Sequence, residues 1–348
     1  MPTTSIDTFF ACSLLVSVVI IATAFLAGTM QTQINSMQTL NKPDFLRALS
    51  DRIVSGCGSL ENWGSSGGVP LSFGLSEVNC QGLNEIDADK ICRLNSQNDF
   101  ALSYTDALKA SSLSNVAFGV SISQMLQIEV TFSGSSISED FTSYSFQISV
   151  NQGSAPVMAD LHCYVLTSDF ENNVTSSTDS SGNGYVSAEI PNSASGPGML
   201  VVFARASFDD RVTAYTVFPF ATATSSPEPN LTFLDLSPLN YELNVTAKNP
   251  STFLTGAYAF SFSYQSNLTS NSEESTYLIP QLVDSSPIVL VVSGVCELAN
   301  FNEWVAYPQV PMNFGADLSN SESNVFVYPV TINGCLYELT MRFGSVFN

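Results

Sequence analysis

Charge is scarce in this chain. Asp, Glu, Lys and Arg make up 12% of its 348 residues, about half the share usual in a soluble domain. What charge there is has one sign, with 31 acidic residues against 10 basic and a net charge of −21. Such a surface repels phosphates and anionic headgroups, which excludes nucleic acid as a partner and disfavours peripheral binding to acidic lipid. Histidine is scarcer still. His162 is the only one, so a zinc site would need cysteine or carboxylate partners at suitable spacing; inside the apolar run ADLHCYVLT it reads as a core or rim side chain. There is no CxxC pair, no HExxH, no glycine-rich phosphate loop and no strand–helix alternation. The expectation is a protein that is not an enzyme, with no cofactor and no metal.

What is present points outside the cell. Apolar residues reach 45%, and Ser, Thr, Asn and Gln supply the missing polarity, a balance that suits exported β-sheet proteins. Phe9 to Ala27 carry no charge, and at 1.5 Å per residue such a run spans about 29 Å, the thickness of a bilayer core. A cleavable secretory peptide is the competitor, because Ala22 and Ala24 form an A-x-A-like site, but Met1 to Thr8 lack the basic residue its first region needs. Ser13 and Ser17, then Ala24 and Gly28, are small residues four apart that let helices approach closely. Met30, Ile34, Met37 and Leu40 extend the helical spacing, and Phe45, Leu46, Leu49 and Ile53 repeat it after Pro43, where a kink or a fresh helix start is expected. The expected fold class is mainly β: a long N-terminal hydrophobic helix over 1–55, followed by β-sandwich domains.

The stretch SIDTFFACSLLVSVVIIATAF, with Asp7 near the start of the apolar run, resembles the archaeal type IV pilin-like class. NWGSSGGVPLSFGL, EIDADKICRLN and SYTDAL look like the segment that follows such a helix in archaeal membrane-anchored proteins. The resemblance implies a long assembly helix bearing a β-rich head, with Asp7 pairing to the terminal amine of a neighbouring subunit; an N-cap at the membrane surface is the other reading of Asp7. Met1 to Ser5 lack the basic residue and Gly or Ala with which prepilin leaders end.

Beyond the helix, 56–153 reads as a mixed head subdomain, Gly- and Asn-rich at first and turning to strands from Val116. A clearer module over 154–222 contains TDSSGNGYVSAEIP, which resembles the tight turn into a core strand of immunoglobulin-like and transthyretin-like modules. Independently of that resemblance, Asp179, Gly182 and Gly184 suit a hairpin turn. SSPEPN at 225–230 reads as a linker, and a last β-sandwich is expected over 231–348. If exported, the six cysteines after Cys12 allow three disulfides: Cys296–Cys335 is the favoured pair, with one more among Cys57, Cys80 and Cys92, against the alternative of buried free thiols. Asn173, Asn230, Asn244 and Asn267 head N-x-T sequons and are candidate glycosylation sites. Glu85, Asp87 and Asp89, and the neighbours Asp209 and Asp210, are acidic clusters that read as solvated loops before they read as calcium sites.

These features predict a pilin-like structural subunit, major, minor or tip, of an archaeal surface filament, assembling through its N-terminal helix and displaying its β domains for adhesion. The alternative is a non-assembling, single-pass anchored surface protein that binds a protein or glycan through immunoglobulin-like domains. Membrane lipid and copies of the chain are the expected partners, and the cell surface the expected location.

Overall fold

The computed structural model describes residues 16, 18–23, 25–26 and 43–345, apart from 79–83, 114–115, 224, 271–274, 282–283 and 320–322. The expected long hydrophobic helix is corrected here: among the described residues no helix is long and apolar enough to cross a membrane. Residues 16, 18–23 and 25–26 are helical, and their apolar side chains are exposed, Phe25 at 74% and Ile21 at 68%. Asp7, Phe9, Ser13, Ser17, Ala24 and Gly28 lie outside the described residues. The amphipathic spacing after Pro43 belongs to a separate helix, α1 (Pro43–Ser55). Proline is its first residue, where the missing N–H costs nothing. Helix α1 buries Leu46, Ser50, Ile53 and Val54 against the head, and Tyr328 donates its hydroxyl to Asp51 at 2.7 Å.

Among the described residues three short helices follow, α2 (Trp63–Ser66), α3 (Ala88–Leu94) and α4 (Tyr104–Ala110), and then nineteen strands. Strand β1 (Val116–Gln124) pairs with β19 (Cys335–Ser345) and β17 (Met312–Gly315), in a sheet closed by β18 (Asn324–Ile332). The chain then turns at 125–126 into β2 (Gln127–Ile137) and β3 (Phe141–Gln152). These join β4 (Ala155–Pro156) and β7 (Asn183–Pro191) in one sheet. The facing sheet has the order β6 (Glu171–Ser177), β5 (Ala159–Leu166), β8 (Gly198–Ala206), β9 (Thr213–Phe220). The pairing of β3 with β7, Phe141 opposite Pro191 through Ser149 opposite Asn183, crosses the division expected at 153–154. The middle sandwich therefore runs from about 127 to 220 and is inserted between β1 and the C-terminal strands, so 56–124 belongs with the C-terminal body.

That body holds two more sheets. One has β10 (Leu234–Leu239), β11 (Glu242–Ala247) and β14 (Thr276–Leu278); the other runs β13 (Gln265–Asn267), β12 (Thr252–Phe260), β15 (Ile288–Cys296), β16 (Ala299–Tyr307). The linker near 225–230 leaves the two bodies in contact face to face. Leu161, Cys163 and Val165 face the core of the middle sandwich, while Tyr164 and Leu166, on the other face of β5, pack with Val289 and Val291 of β15. Ile288, Leu290 and Val292 then face the C-terminal core. Strands β8 and β15 read as nearly unbroken apolar runs because both of their faces are covered.

The turn chemistry anticipated in TDSSGNG is present. Asp179 Oδ1 accepts from the N–H of Ser181 at 2.8 Å and of Asn183 at 3.0 Å, and Gly182 has φ +74°. Gly184 serves close approach, since a Cβ there would lie 2.8 Å from Leu161 Cδ1. The favoured disulfide is corrected: Cys57, Cys92, Cys163, Cys296 and Cys335 are all free, and Cys80 lies outside the described residues. Cys296 ends β15 and Cys335 begins β19, in different sheets. The Cys335 thiol instead donates to the Thr213 carbonyl at 3.2 Å, and burial pushes its pKa up to about 11.

Candidate functional site

The chain passes between the two bodies twice, and each crossing lines one of two adjoining surface recesses. The first crossing supplies Ser123, Gln124, Leu126, Gln127 and Ile128; β9 supplies Tyr215, Thr216 and Val217, and β16 supplies Trp304, around a hollow of about 420 Å³. An adjoining recess of about 190 Å³ shares Tyr215, Trp304 and Pro311 and adds Asn230 and Leu231 from the second crossing, with Asn95, Gln97 and Gln309. A concavity at a body-to-body junction is where ligand sites concentrate. None of the residues lining either recess is charged, in a chain with 31 acidic residues.

Two amide side chains build the site. Strands β9 and β16 are the last strands of their sheets, so their outer main-chain groups need partners. Gln124 donates from Nε2 to the Tyr215 carbonyl at 3.1 Å and accepts from the Tyr215 N–H at Oε1, 2.6 Å away. Asn230 does the same for β16: Nδ2 donates to the Trp304 carbonyl at 2.9 Å and Oδ1 accepts from the Trp304 N–H at 2.9 Å. Each crossing thus contributes one amide that acts as a short strand partner and fixes the main chain of one aromatic residue. The rings of Tyr215 and Trp304 meet edge to face, 6.1 Å apart at 81°. Tyr215 is buried and donates its hydroxyl to the Val310 carbonyl; burial raises its pKa. Trp304 stays partly exposed. Glu303, beside it, points to the opposite face and accepts from the N–H groups of Phe233 at 2.7 Å and Leu234 at 2.8 Å, which pins the end of the second crossing. Burial holds its carboxyl above the ordinary range.

A second groove of about 480 Å³ lies beside β17, with Asp317 and Arg342 in its lining. It borders 320–322, outside the described residues, and has no aromatic pair set in place by side chains from both bodies.

The residues singled out in the sequence scatter. Asn173 and Asn267 are exposed on β6 and β13, and Asn244 is partly buried and accepts from Thr276 Oγ1 at 2.9 Å. Asn230 is exposed but commits both amide atoms to Trp304. Two of the three acidic residues are structural: Asp87 caps α3, accepting from the N–H of Asp89 and Lys90, and Asp89 accepts from Tyr307 Oη at 2.9 Å and Asn240 N at 2.7 Å. Burial raises the Asp89 carboxyl. No cluster able to hold a metal occurs among the described residues. His162 is stacked on Tyr164, centroids 4.8 Å apart, and its pKa is lowered by burial. The spacing of Gly64, Ser66 and Gly68 matches a nucleophile-elbow pattern that passed unnoticed in the sequence; here Ser66 accepts only a 3.5 Å contact from its own turn, at Gly68 N. Trp304, Tyr215, Gln124, Gln127 and Thr216 were all missed as site residues. The available signal was Trp304 itself, which alternates with buried Phe301, Glu303 and Val305 and shares the other strand face with Asn302.

No protein-family model matches the chain, and no curated protein matches it. Among solved structures it is similar to HBP35 of Porphyromonas gingivalis, at 11% identity and a TM-score of 0.20 over 52% of this chain. The match spans 63% of that structure's length, and so low a score carries no argument about fold or function.

Proposed function

We propose that the chain is a cell-surface display protein, pilin-like or singly anchored, whose double-sandwich head recognises a partner at the cleft between its two bodies. The junction cleft carries this reading: an open, uncharged recess around a partly exposed tryptophan, on a chain whose net charge is −21. Adjoining recesses, each lined by one crossing, are a place where binding and the relative setting of the two bodies meet. Attachment to the surface is supported by the apolar N-terminal residues: Val16, Val18, Val19, Ile20, Ile21, Phe25 and Leu26 are 52–74% exposed. Exposed apolar groups of that density mark contact with lipid or with other protein.

The test is electron microscopy of surface material from native cells, labelled with antibody to the C-terminal body. Label along filaments or at their tips supports a pilin-like subunit, and label on envelope fragments alone supports a solitary anchored protein. Label confined to the cell interior overturns the surface reading.

A further inference from the structure

We infer that the junction cleft binds a neutral oligosaccharide, with one pyranose ring seated on the indole of Trp304. This deepens the surface-recognition reading and rests on it. A pyranose shows one face of weakly positive C–H groups and a rim of hydroxyls that each donate and accept. An indole face is electron-rich and attracts the first; hydroxyls and planar amides, which carry both donors and acceptors, satisfy the second. The cleft offers both in one place. Trp304 is partly exposed, its main chain is clamped by Asn230 and its ring is braced by Tyr215. Around it stand Ser123, Thr216 and Gln127 in the larger recess and Gln97 in the smaller. Among the described residues none of these four side chains has a hydrogen-bond partner, unlike Gln124 and Asn230, which serve the fold.

Charge selects among glycans. With no cation in the lining and a surrounding net charge of −21, a uronate or sulfated sugar meets repulsion without a compensating ion pair. A neutral sugar meets none. The larger recess, about 420 Å³, falls within the ~300–1,000 Å³ typical of ligand sites, and the adjoining recess across Trp304 gives a second sugar unit somewhere to go.

The two tryptophans make the test direct. Trp63 is fully buried and Trp304 is not, so a ligand-induced change in emission or in acrylamide quenching reports on Trp304. The full chain is titrated with neutral tetrasaccharides of glucose, mannose and N-acetylglucosamine and, as a charged control, with oligogalacturonate. At least one neutral oligomer should shift the emission and protect it from acrylamide, with an affinity that is the same at low and high salt. By calorimetry Trp304→Ala should weaken binding about 30-fold or more, and Gln127→Ala or Thr216→Val about 5-fold. Gln127 is exposed, so its variant keeps the test valid if the tryptophan variant fails to fold. Binding unchanged in these variants, binding only of the charged oligomer, or no binding of any neutral oligomer at millimolar concentration overturns the assignment. Adhesion of head-coated beads to surface material separates the two levels. Adhesion that protease abolishes, with no sugar bound, removes the oligosaccharide and leaves the recognition reading; absence of both removes both.

Discussion

Trp63 is sealed at 0% exposure, while Trp304 is only partly covered, and their surroundings differ in kind. The Trp63 indole donates from Nε1 to the Gly74 carbonyl at 3.0 Å and has Lys90 Nζ 5.7 Å and Arg93 Cζ 5.6 Å from its ring centre. Those cations are themselves buried: Lys90 donates to the carbonyls of Cys57 and Ser76 at 2.9 and 2.7 Å. Arg93 donates to the carbonyls of Trp63, Gly67, Gly68 and Phe100. Both cations are turned inward, and Arg93 holds the loop NWGSSGG through the carbonyls of Trp63, Gly67 and Gly68. Around Trp304 the main chain is tied down by Asn230 and the ring packs in part against Tyr215 and the buried cluster behind it, while the rest of the ring and neighbouring hydroxyls and amides line the open recess. A tryptophan enclosed by charge serves the fold; a tryptophan with its main chain fixed and its ring partly open to a recess is available to a ligand.

That contrast is broken most strongly by truncating the sealed ring. Trp63→Ala should cost about 3–5 kcal/mol, seen as a lower midpoint in urea denaturation, because it empties a core site and removes the face both cations lie on. Arg93→Met comes next at about 3 kcal/mol, since it leaves four loop carbonyls without their donor; Arg93→Lys recovers part of this, as an ammonium cannot span the same set. Trp304→Ala should cost clearly less, about 1–2 kcal/mol, despite removing a side chain of the same size. If it matches Trp63→Ala, the two regions do not differ as described. Asn230→Ala is expected to cost about 1 kcal/mol, and its sharper readout is the emission of Trp304, which should broaden as the main chain loosens.

The smallest effect is one of acidity. Burial raises the carboxyls of Asp89 and Glu303 above their ordinary values, so the folded protein holds those protons more tightly than the unfolded chain. The cost of ionising them is present in full above the raised values and disappears as pH falls toward the ordinary carboxylate range, so stability should rise on mild acidification. Asp106 and Asp209 have the opposite sign. Ser103 with Lys109, and Arg211, hold their carboxyls down, and the stability they contribute is lost only at lower pH. Melting temperature against pH should therefore pass through a maximum on the acidic side, and Glu303→Gln should flatten its neutral limb.

Much of the β architecture was legible because strands carry local signals. Alternation in YSFQISV, the Asp179–Gly182 turn and the proline-marked linker all act over a few residues. Two-sided burial was legible too, though unread: ADLHCYVLT, GMLVVFARA and PIVLVVSG are too continuously apolar for a sandwich with one wet face. The divisions were misread because β3 pairs with β7 across residues 153–154 and β1 pairs with β19 across most of the chain, and partner choice leaves no mark in composition. The disulfide expectation failed for a related reason, since an even number of cysteines says nothing about distance. The cleft was the least legible. Its residues come from 95–97, 123–128, 215–217, 230–231 and 304–311, and each looks ordinary in its own segment.

By itself the amino-acid sequence determined the acidic, weakly charged, strand-rich character of this protein, its apolar N-terminal run and the turns and caps that Asp, Asn, Gly and Pro set locally, because those properties depend on neighbouring residues alone. Only the tertiary structure decided that the middle sandwich is an insertion, that its inner sheet is buried on both faces, and that Gln124 and Asn230 brace two edge strands around Tyr215 and Trp304. Those outcomes depend on which surfaces meet, and hydrophobic contact is non-directional until the whole chain has chosen its partners.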